Sequence, residues 1–357
     1  MSEVFFRFPG VHHPTHMAKS HMTYAKAGVD MDAKSLAIAS LVGQLKYRRK
    51  GRGRDMKVKG QFTSLIDFGD VALTLCTDGV GTKLLVAEAL GKWDTVGIDC
   101  MAMNVNDTIC VGAEPFAFVD YIALDKPDPK VAEQIGIGLN EGARLANVDL
   151  VGGEVAVLPE MVKGLDLSGT CLGFVDKNRY VDGSHVRVGD AIIGLPSSGI
   201  HSNGLSLARK VLKSNKIGLD ERIPRLGKSV GMELLRPTTI YVRPVIKMLK
   251  KCEVTGMVDV TGGGLRNFVR LKKGVRFEID DPLPPQPIFE ILQELGGIEP
   301  KEMYQTFNMG MGFAIVCRDD ESKSVVKTLG GGAKVIGHVT KGEGVCCEPL
   351  QLNFRTY

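Results

Sequence analysis

Apolar residues fall in strand-length and helix-length runs separated by glycine, proline and polar turns, the alternation that builds α/β layers. Val71 to Thr77 is nearly continuous apolar and β-prone, which predicts a buried strand, and Thr82 to Leu90 has helix-forming composition closed by Gly91. Thr95 to Val111, closed by Gly112, predicts a second helix, and Phe116 to Leu124 a strand. Asp128-Pro129 supplies an N-cap and a first-turn proline for a helix reaching about Ala146. Strands near Asp149-Val151 and Leu165-Val175 complete a first αβ unit.

The polar segment Asp176-Lys177-Asn178-Arg179, followed by Asp182-Gly183-Ser184, predicts a domain boundary. Beyond it the pattern predicts a strand over Ala191 to Pro196, a helix over Ser206 to Leu212, a strand over Val254 to Val260 and a helix over Leu265 to Leu271. A rigid connector over Pro282 to Pro287, a helix over Ile288 to Leu295 and a strand over Gly312 to Cys317 follow. The fold class is α/β (α+β), with an N-terminal αβ domain over residues 23–178, a C-terminal αβ domain over 179–345 and a tail over 346–357. Residues 1–22 carry His12, His13, His16 and His21 without periodicity and read as a leader or cloning remnant rather than a metal site.

Composition narrows the class. A chain of 357 residues with 44% hydrophobic content has enough apolar material for two cores. Forty-five basic against 41 acidic residues leave +4, too balanced for a nucleic-acid binder, though small anions remain suitable partners. The basic run Lys46 to Arg54 predicts a mobile loop, either a solvated connector or an anion-attracting lid. Eight scattered cysteines without C-x-x-C spacing read as buried reduced thiols of a cytoplasmic protein. No apolar stretch approaches the roughly 20 residues of a membrane span.

Five segments have the residue types for chemistry. Thr77-Asp78-Gly79-Val80-Gly81-Thr82-Lys83 links strand to helix, and is either a tight turn or a phosphate cradle whose carboxylate holds Mg²⁺. In the next helix, at about 100° per residue, Asp99 and Asn106 fall in line with Asp107 roughly 80° to the side. That polar face, which includes Asn104, is set among Ile98, Met101, Met103, Val105 and Ile109, and favours a metal or polar substrate over plain solvation. Gly152-Gly153-Glu154 ends a strand, so Glu154 is expected to project from a loop, as a third oxygen ligand or merely in a hairpin turn. Ser197-Ser198-Gly199-Ile200-His201-Ser202-Asn203-Gly204 offers hydroxyls, amides and an imidazole, whose histidine is either structural or catalytic. Thr261-Gly262-Gly263-Gly264 places bare amides where a phosphate could meet them.

These segments, with GAEP and the late Glu302-Met303-Tyr304-Gln305-Thr306-Phe307-Asn308-Met309-Gly310, occur in one order that closely resembles the phosphoribosylformylglycinamidine cyclo-ligase family, from Tyr24 to about Val339. The resemblance implies a homodimer whose N-terminal sheets pair into a barrel, and a reaction of formylglycinamidine ribonucleotide with MgATP to aminoimidazole ribonucleotide, ADP and phosphate. It implies Asp78, Asp107 and Glu154 as Mg²⁺ ligands, K⁺ as an optional further ion, and Lys83, Asp99 and His201 as catalytic residues. For ATP or substrate it implies Thr77, Asp78, Gly79, Gly81, Thr82, Asn106, Ser198, Gly199, Asn203, Thr261, Gly262, Gly263 and Gly264.

The chain departs from the commonest family pattern in four places: Ala25 with Lys26 one place later, Val155 and Val157 after Glu154, Asp259 where a histidine is usual, and Lys59 to Thr63 in place of a glycine-rich loop. Of the related ATP enzymes, a selenophosphate synthetase is disfavoured because no cysteine precedes Cys76, a hydrogenase maturation factor because none stands at the end of the chain, and a thiamine-phosphate kinase because the nucleotide strand lacks a paired Asp-Asp. A non-catalytic nucleotide sensor is the reading from another class.

Overall fold

The computed structural model describes residues 22–23, 31–58 and 62–357. Its first half runs α1 (Met31–Gln44), β1 (Leu65–Phe68), β2 (Val71–Gly79), α2 (Leu84–Leu90), α3 (Val96–Ile109), β3 (Glu114–Leu124), α4 (Pro129–Ala146), β4 (Asp149–Val157) and β5 (Leu165–Asp176). These strands form one sheet in the order β1-β2-β5-β3-β4, antiparallel except for β3 beside β4. That parallel pair needs a crossover, which α4 provides. The Asp128 carboxylate accepts from the amides of Lys130 (2.8 Å) and Val131 (3.4 Å), so the helix starts where Asp128 and Pro129 direct it.

Helices α3 and α4 lie almost backbone to backbone: an ideal Cβ on Gly97 would stand 2.2 Å from the Leu139 amide nitrogen. They cover one face of the sheet, where Cys76, Phe118, Leu167 and Cys171 are buried. The other face carries Leu75 (56% exposed), Phe116, Val119, Tyr121 and Phe174, all exposed, in the period of two that a strand imposes.

The second half comprises β6 (Ala191–Pro196), α5 (Leu205–Ser214), α6 (Val230–Leu234), α7 (Val242–Leu249), β7 (Gly256–Asp259), α8 (Asn267–Leu271), β8 (Arg276–Ile279) and α9 (Pro287–Gly296). It continues with α10 (Pro300–Thr306), β9 (Met311–Cys317), α11 (Ser322–Leu329), β10 (Lys334–Thr340), β11 (Gly344–Cys347) and β12 (Leu352–Phe354). The seven strands order as β12-β11-β8-β10-β6-β9-β7. One continuous apolar core runs from Val96, Met101 and Val105 of α3 to Val242, Val245 and Met248 of α7, so the two halves pack through these helices.

Two expectations change. The glycines at 152 and 153 do not end their strand: β4 continues to Val157, because its pairing with β3 carries on through Tyr121↔Glu154 to Leu124↔Val157. The segment read as a tail joins the second sheet, with Cys346 and Cys347 buried in β11 and β12 paired to it. The sequence pattern leaves unassigned the short elements α1, α6, α7, α10, α11, β1, β8 and β10 to β12, which the structure supplies. The basic run Lys46 to Arg54 holds no helix or strand; Arg52 stacks 3.9 Å from the Phe68 ring centroid and Arg54 bonds Asp67 at 3.2 Å. All eight cysteines are free and buried. No described helix is long and apolar enough to cross a membrane.

Candidate active site

Strand β2 delivers Asp78 to the edge of the first sheet, where the Gly79 amide bonds its Oδ1 at 2.7 Å. Asn104 on α3 donates to the Asp78 carbonyl (3.2 Å) and to the Cys100 carbonyl (2.9 Å), pinning the strand end to the helix. One turn beyond, Asp107 accepts a weak 3.8 Å contact from the Cys76 thiol, while its Oδ1 is buried without a partner. The end of β7 brings the Asp259 carboxyl against that of Asp107, crowding two acids into one buried space.

The electrostatics follow from that crowding. Burial first, then the Asp78 charge, pushes the Asp107 carboxyl up to about 7, while the positive Arg270 opposes the rise. Asp259 is pushed well above the usual carboxylate range by burial and by Asp107. Asp78 remains solvent-accessible yet is also raised, chiefly by burial, against the Gly79 hydrogen bond and the Lys34 charge from α1. The recess is acidic, with Arg270 and Lys34 as the cations that act on it.

The second-domain loops close the recess. An ideal Cβ on Gly262 would stand 2.7 Å from Asn203 Oδ1, so the loop after β6 meets the triple-glycine turn after β7. At Gly264, φ is +53° and a Cβ would sit 2.0 Å from the Tyr304 carbonyl oxygen, which leaves room for glycine alone. The amides of Gly263 and Gly264 are not bare as expected: both donate to the Thr261 carbonyl, at 2.8 and 2.9 Å. Cationic donors near this turn come instead from Arg266, whose Nε is buried without a partner, and from Arg270.

Several predicted residues stand elsewhere. Lys83 and Asp99 are fully buried and paired at 2.8 Å; Asp99 Oδ1 also accepts from the Thr238 amide (2.8 Å) and hydroxyl (2.6 Å), and Lys83 donates to the Arg236 carbonyl (2.6 Å). Asn106 bonds the Thr239 carbonyl (2.9 Å) and the Tyr241 amide (3.0 Å). These three fasten the Arg236 to Tyr241 segment across α3 and touch no solvent-filled space. Thr82 bonds Ser206 of α5 across the same junction at 3.1 Å.

His201 is 6% exposed with φ +64°, and its Nε2 accepts from the Ser198 amide (3.2 Å). Burial, aided by the Lys83 charge, lowers its pKa to about 3, so it is neutral and ill suited to shuttle protons near neutrality. Ser198 Oγ donates to the Pro237 carbonyl (2.6 Å), and Asn308 braces the loop by donating to the Gly199 carbonyl (2.8 Å).

Register decides Glu154. Asp78, Gly169, Asp120 and Gly153 form one row across the sheet, and Gly79, Ser168, Tyr121 and Glu154 the next. Adjacent rows point to opposite faces, so Glu154 projects away from Asp78 and Asp107, on the exposed face with Thr77. Within one protomer it does not join the recess, and the loop expected for it is a strand. Tyr24 to Asp30 (with Ala25 and Lys26), Lys59 to Gln61 and the four N-terminal histidines lie outside the described residues.

Sequence reasoning registered Asp259 only as a departure from pattern. Its own signal was visible: a carboxylate ending an apolar strand before glycines, the same signature as Asp78. Arg270 and Pro237 to Thr239 gave no local signal. Among the described residues no three His, Cys, Asp or Glu side chains converge on one point. A hard cation taking one or two carboxylates, with phosphate and water completing its shell, fits that donor set and the orphaned Asp107 Oδ1.

Comparison with known proteins places this geometry in a lineage. Residues 61–175 match the family described as AIR synthase related protein, N-terminal domain, and residues 187–346 match its C-terminal domain. A phosphoribosylformylglycinamidine cyclo-ligase of Methanosarcina barkeri is 47% identical, covering 91% of this chain and 97% of its own. One from Thermoplasma acidophilum is 44% identical over 90% and 95%. Among solved structures, thiamine monophosphate kinase from Aquifex aeolicus shares the fold, with a TM-score of 0.60 and 18% identity over 91% and 99% of the two chains. With near-complete coverage at such identity, the chain belongs to the phosphoribosylformylglycinamidine cyclo-ligase family.

Proposed function

We propose that the chain is an ATP-dependent cyclo-ligase that converts formylglycinamidine ribonucleotide to aminoimidazole ribonucleotide with release of ADP and phosphate. The observation that carries this reading is the recess between the domains, where Asp78, Asp107 and Asp259 stand beside Asn203 and the triple-glycine turn. Membership of a cyclo-ligase family supplies the substrate pair.

Asp78 and Asp107 would hold Mg²⁺, which when bound neutralises phosphate charge and orients the transferred phosphoryl group. Chemically, the formyl oxygen takes the γ-phosphoryl group, converting a poor leaving group into phosphate, and the amidine nitrogen then closes the ring. Asp259, packed against Asp107, adds a third carboxyl at this edge of the site. Arg266 and Arg270 flank the glycine turn and suit the ribonucleotide phosphate. Lys83, Asp99, Asn106 and His201 act as positioning residues, since all four are locked in buried contacts.

The exposed apolar face of the first sheet supports a homodimer formed through that face. In such a pair Thr77 and Glu154 line the interface, and Glu154 serves the partner's recess rather than its own. Free buried thiols throughout fit a cytoplasmic enzyme.

The purified chain, given formylglycinamidine ribonucleotide and MgATP, is expected to release ADP and a diazotisable aminoimidazole. Tight ATP binding without product would overturn the ligase reading in favour of a nucleotide sensor. Leu75→Lys or Val119→Lys should halve the mass in sedimentation; an unchanged mass would dismiss the sheet-face dimer.

A further inference from the structure

The domain match ends at residue 346, yet the chain beyond it returns to the site. Strand β12 pairs antiparallel with β11 and leads the backbone toward the turn after β7. There the Tyr357 ring lies over Gly263 so closely that an ideal Cβ on that glycine would stand 2.6 Å from Tyr357 Cε2. The same ring lies 5.1 Å from the Arg270 guanidinium and 5.8 Å from that of Arg266. Arg270 also lies over the Phe62 ring, 4.2 Å from its centroid.

Arginine has several rotatable bonds and needs outside contacts to hold its planar head at one place. A guanidinium within reach of two aromatic rings is held by cation–π attraction to each, and the rings also exclude water from part of its charge. Gly263 has no side chain, which is what lets a ring approach the turn at that distance. Nothing in the cyclo-ligase reading uses these contacts, and Tyr357 itself is 52% exposed, so it contributes little to the core.

We propose that Tyr357 is a positioning residue for the substrate phosphate: with Phe62 it clamps Arg270 beside the triple-glycine turn and covers Gly263, so that a phosphate-bearing ligand meets an ordered guanidinium. The inference rests on the reading of that turn as the place where the ribonucleotide phosphate sits. Its prerequisite is the ring, not the phenol hydroxyl.

The test compares the full chain with Tyr357→Phe, Tyr357→Ala and Arg270→Met, titrating inorganic phosphate by calorimetry and measuring steady-state kinetics in parallel. Tyr357→Ala is expected to weaken phosphate binding and raise KM for the ribonucleotide about tenfold, the size of one partly desolvated cation–π contact. The KM for ATP and the melting temperature should stay where they are. Tyr357→Phe should behave as the unaltered chain, and in the Arg270→Met background Tyr357→Ala should have no further effect. The proposal is overturned if Tyr357→Ala binds phosphate as well as or better than the unaltered chain, if Tyr357→Phe loses as much as Tyr357→Ala, or if the unaltered chain binds no phosphate at millimolar concentration. Phosphate binding that responds to Tyr357 in a protein that makes no aminoimidazole would overturn the cyclo-ligase reading and leave this one standing.

Discussion

Helix α3 carries two sets of polar residues less than three turns apart that meet opposite fates. Near its start and toward its end, Asp99 and Asn106 are sealed against Lys83 and the Arg236 to Tyr241 segment by hydrogen bonds of 2.6 to 3.0 Å, which leave Asp99 Oδ2 unpartnered beside the Lys83 cation. One residue after Asn106, Asp107 faces Asp78 and Asp259 with one oxygen unpartnered and its carboxyl pushed up to about 7. The first set sets a buried carboxylate against a cation and hydrogen bonds that offset its desolvation; the second crowds carboxyls together with no cation paired to Asp107 at hydrogen-bond distance, which raises their pKa values. The cation-paired set marks the joint between domains, and the crowded carboxyls mark where a ligand belongs.

The largest effect tests the sealed set. Lys83→Met leaves Asp99 buried without its cation and is expected to cost about 3–5 kcal/mol in urea unfolding. Pairing it with Asp99→Leu should restore much of that loss; a double variant as unstable as the single would mean that the pair does not act as a unit. The opposite behaviour is expected on the other side of the helix. Asp107→Asn should lower kcat/KM by about 100-fold or more, while the melting temperature holds or rises because a repelled carboxylate is gone. Activity surviving in that variant would remove Asp107 from the site.

Acid sharpens the contrast next. Burial depresses His201 to about 3 in the folded state, so the unfolded chain takes up a proton first as pH falls. Its share of stability is fully present above the ordinary histidine value near 6.5 and is lost as pH drops from there toward 3. By pH 5 this loss amounts to at most about 2 kcal/mol, and it should be missing from the pH dependence of His201→Asn, a residue that tolerates the same left-handed backbone. Parallel stability curves for the two proteins would show that His201 is not held neutral. The smallest effect lies at the rim of the junction, where Thr82→Val loses the bond to Ser206 and should cost about 1 kcal/mol with turnover nearly unchanged.

Much of this was legible along the chain where the signal is local. Asp128 and Pro129 begin α4 because a side-chain cap and a fixed φ act within one turn, and Gly91 ends α2 with φ +60°. The polar face of α3 was visible from its 100° spacing, as was the carboxylate before glycines at Asp78. Glu154 was misplaced because sequence shows that glycines can turn a chain, whereas strand pairing decides whether they do; a neighbouring strand in register carried β4 through them. Lys83 was expected, from the family resemblance, to be catalytic, and folding set it in a buried pair with Asp99.

The sequence by itself determined the αβ alternation, the glycine turns at strand ends and the ordered motifs of the family, because caps, periodicity and turn chemistry act over a few residues. Only the tertiary structure decided which polar residues of α3 are sealed and which are exposed to a ligand, on which face of the sheet Glu154 lies, and that Asp259 and Tyr357 come to the recess. Those outcomes depend on strand register and on contacts between residues far apart in the chain, such as Asp99 with Thr238, and no local pattern encodes such a pairing.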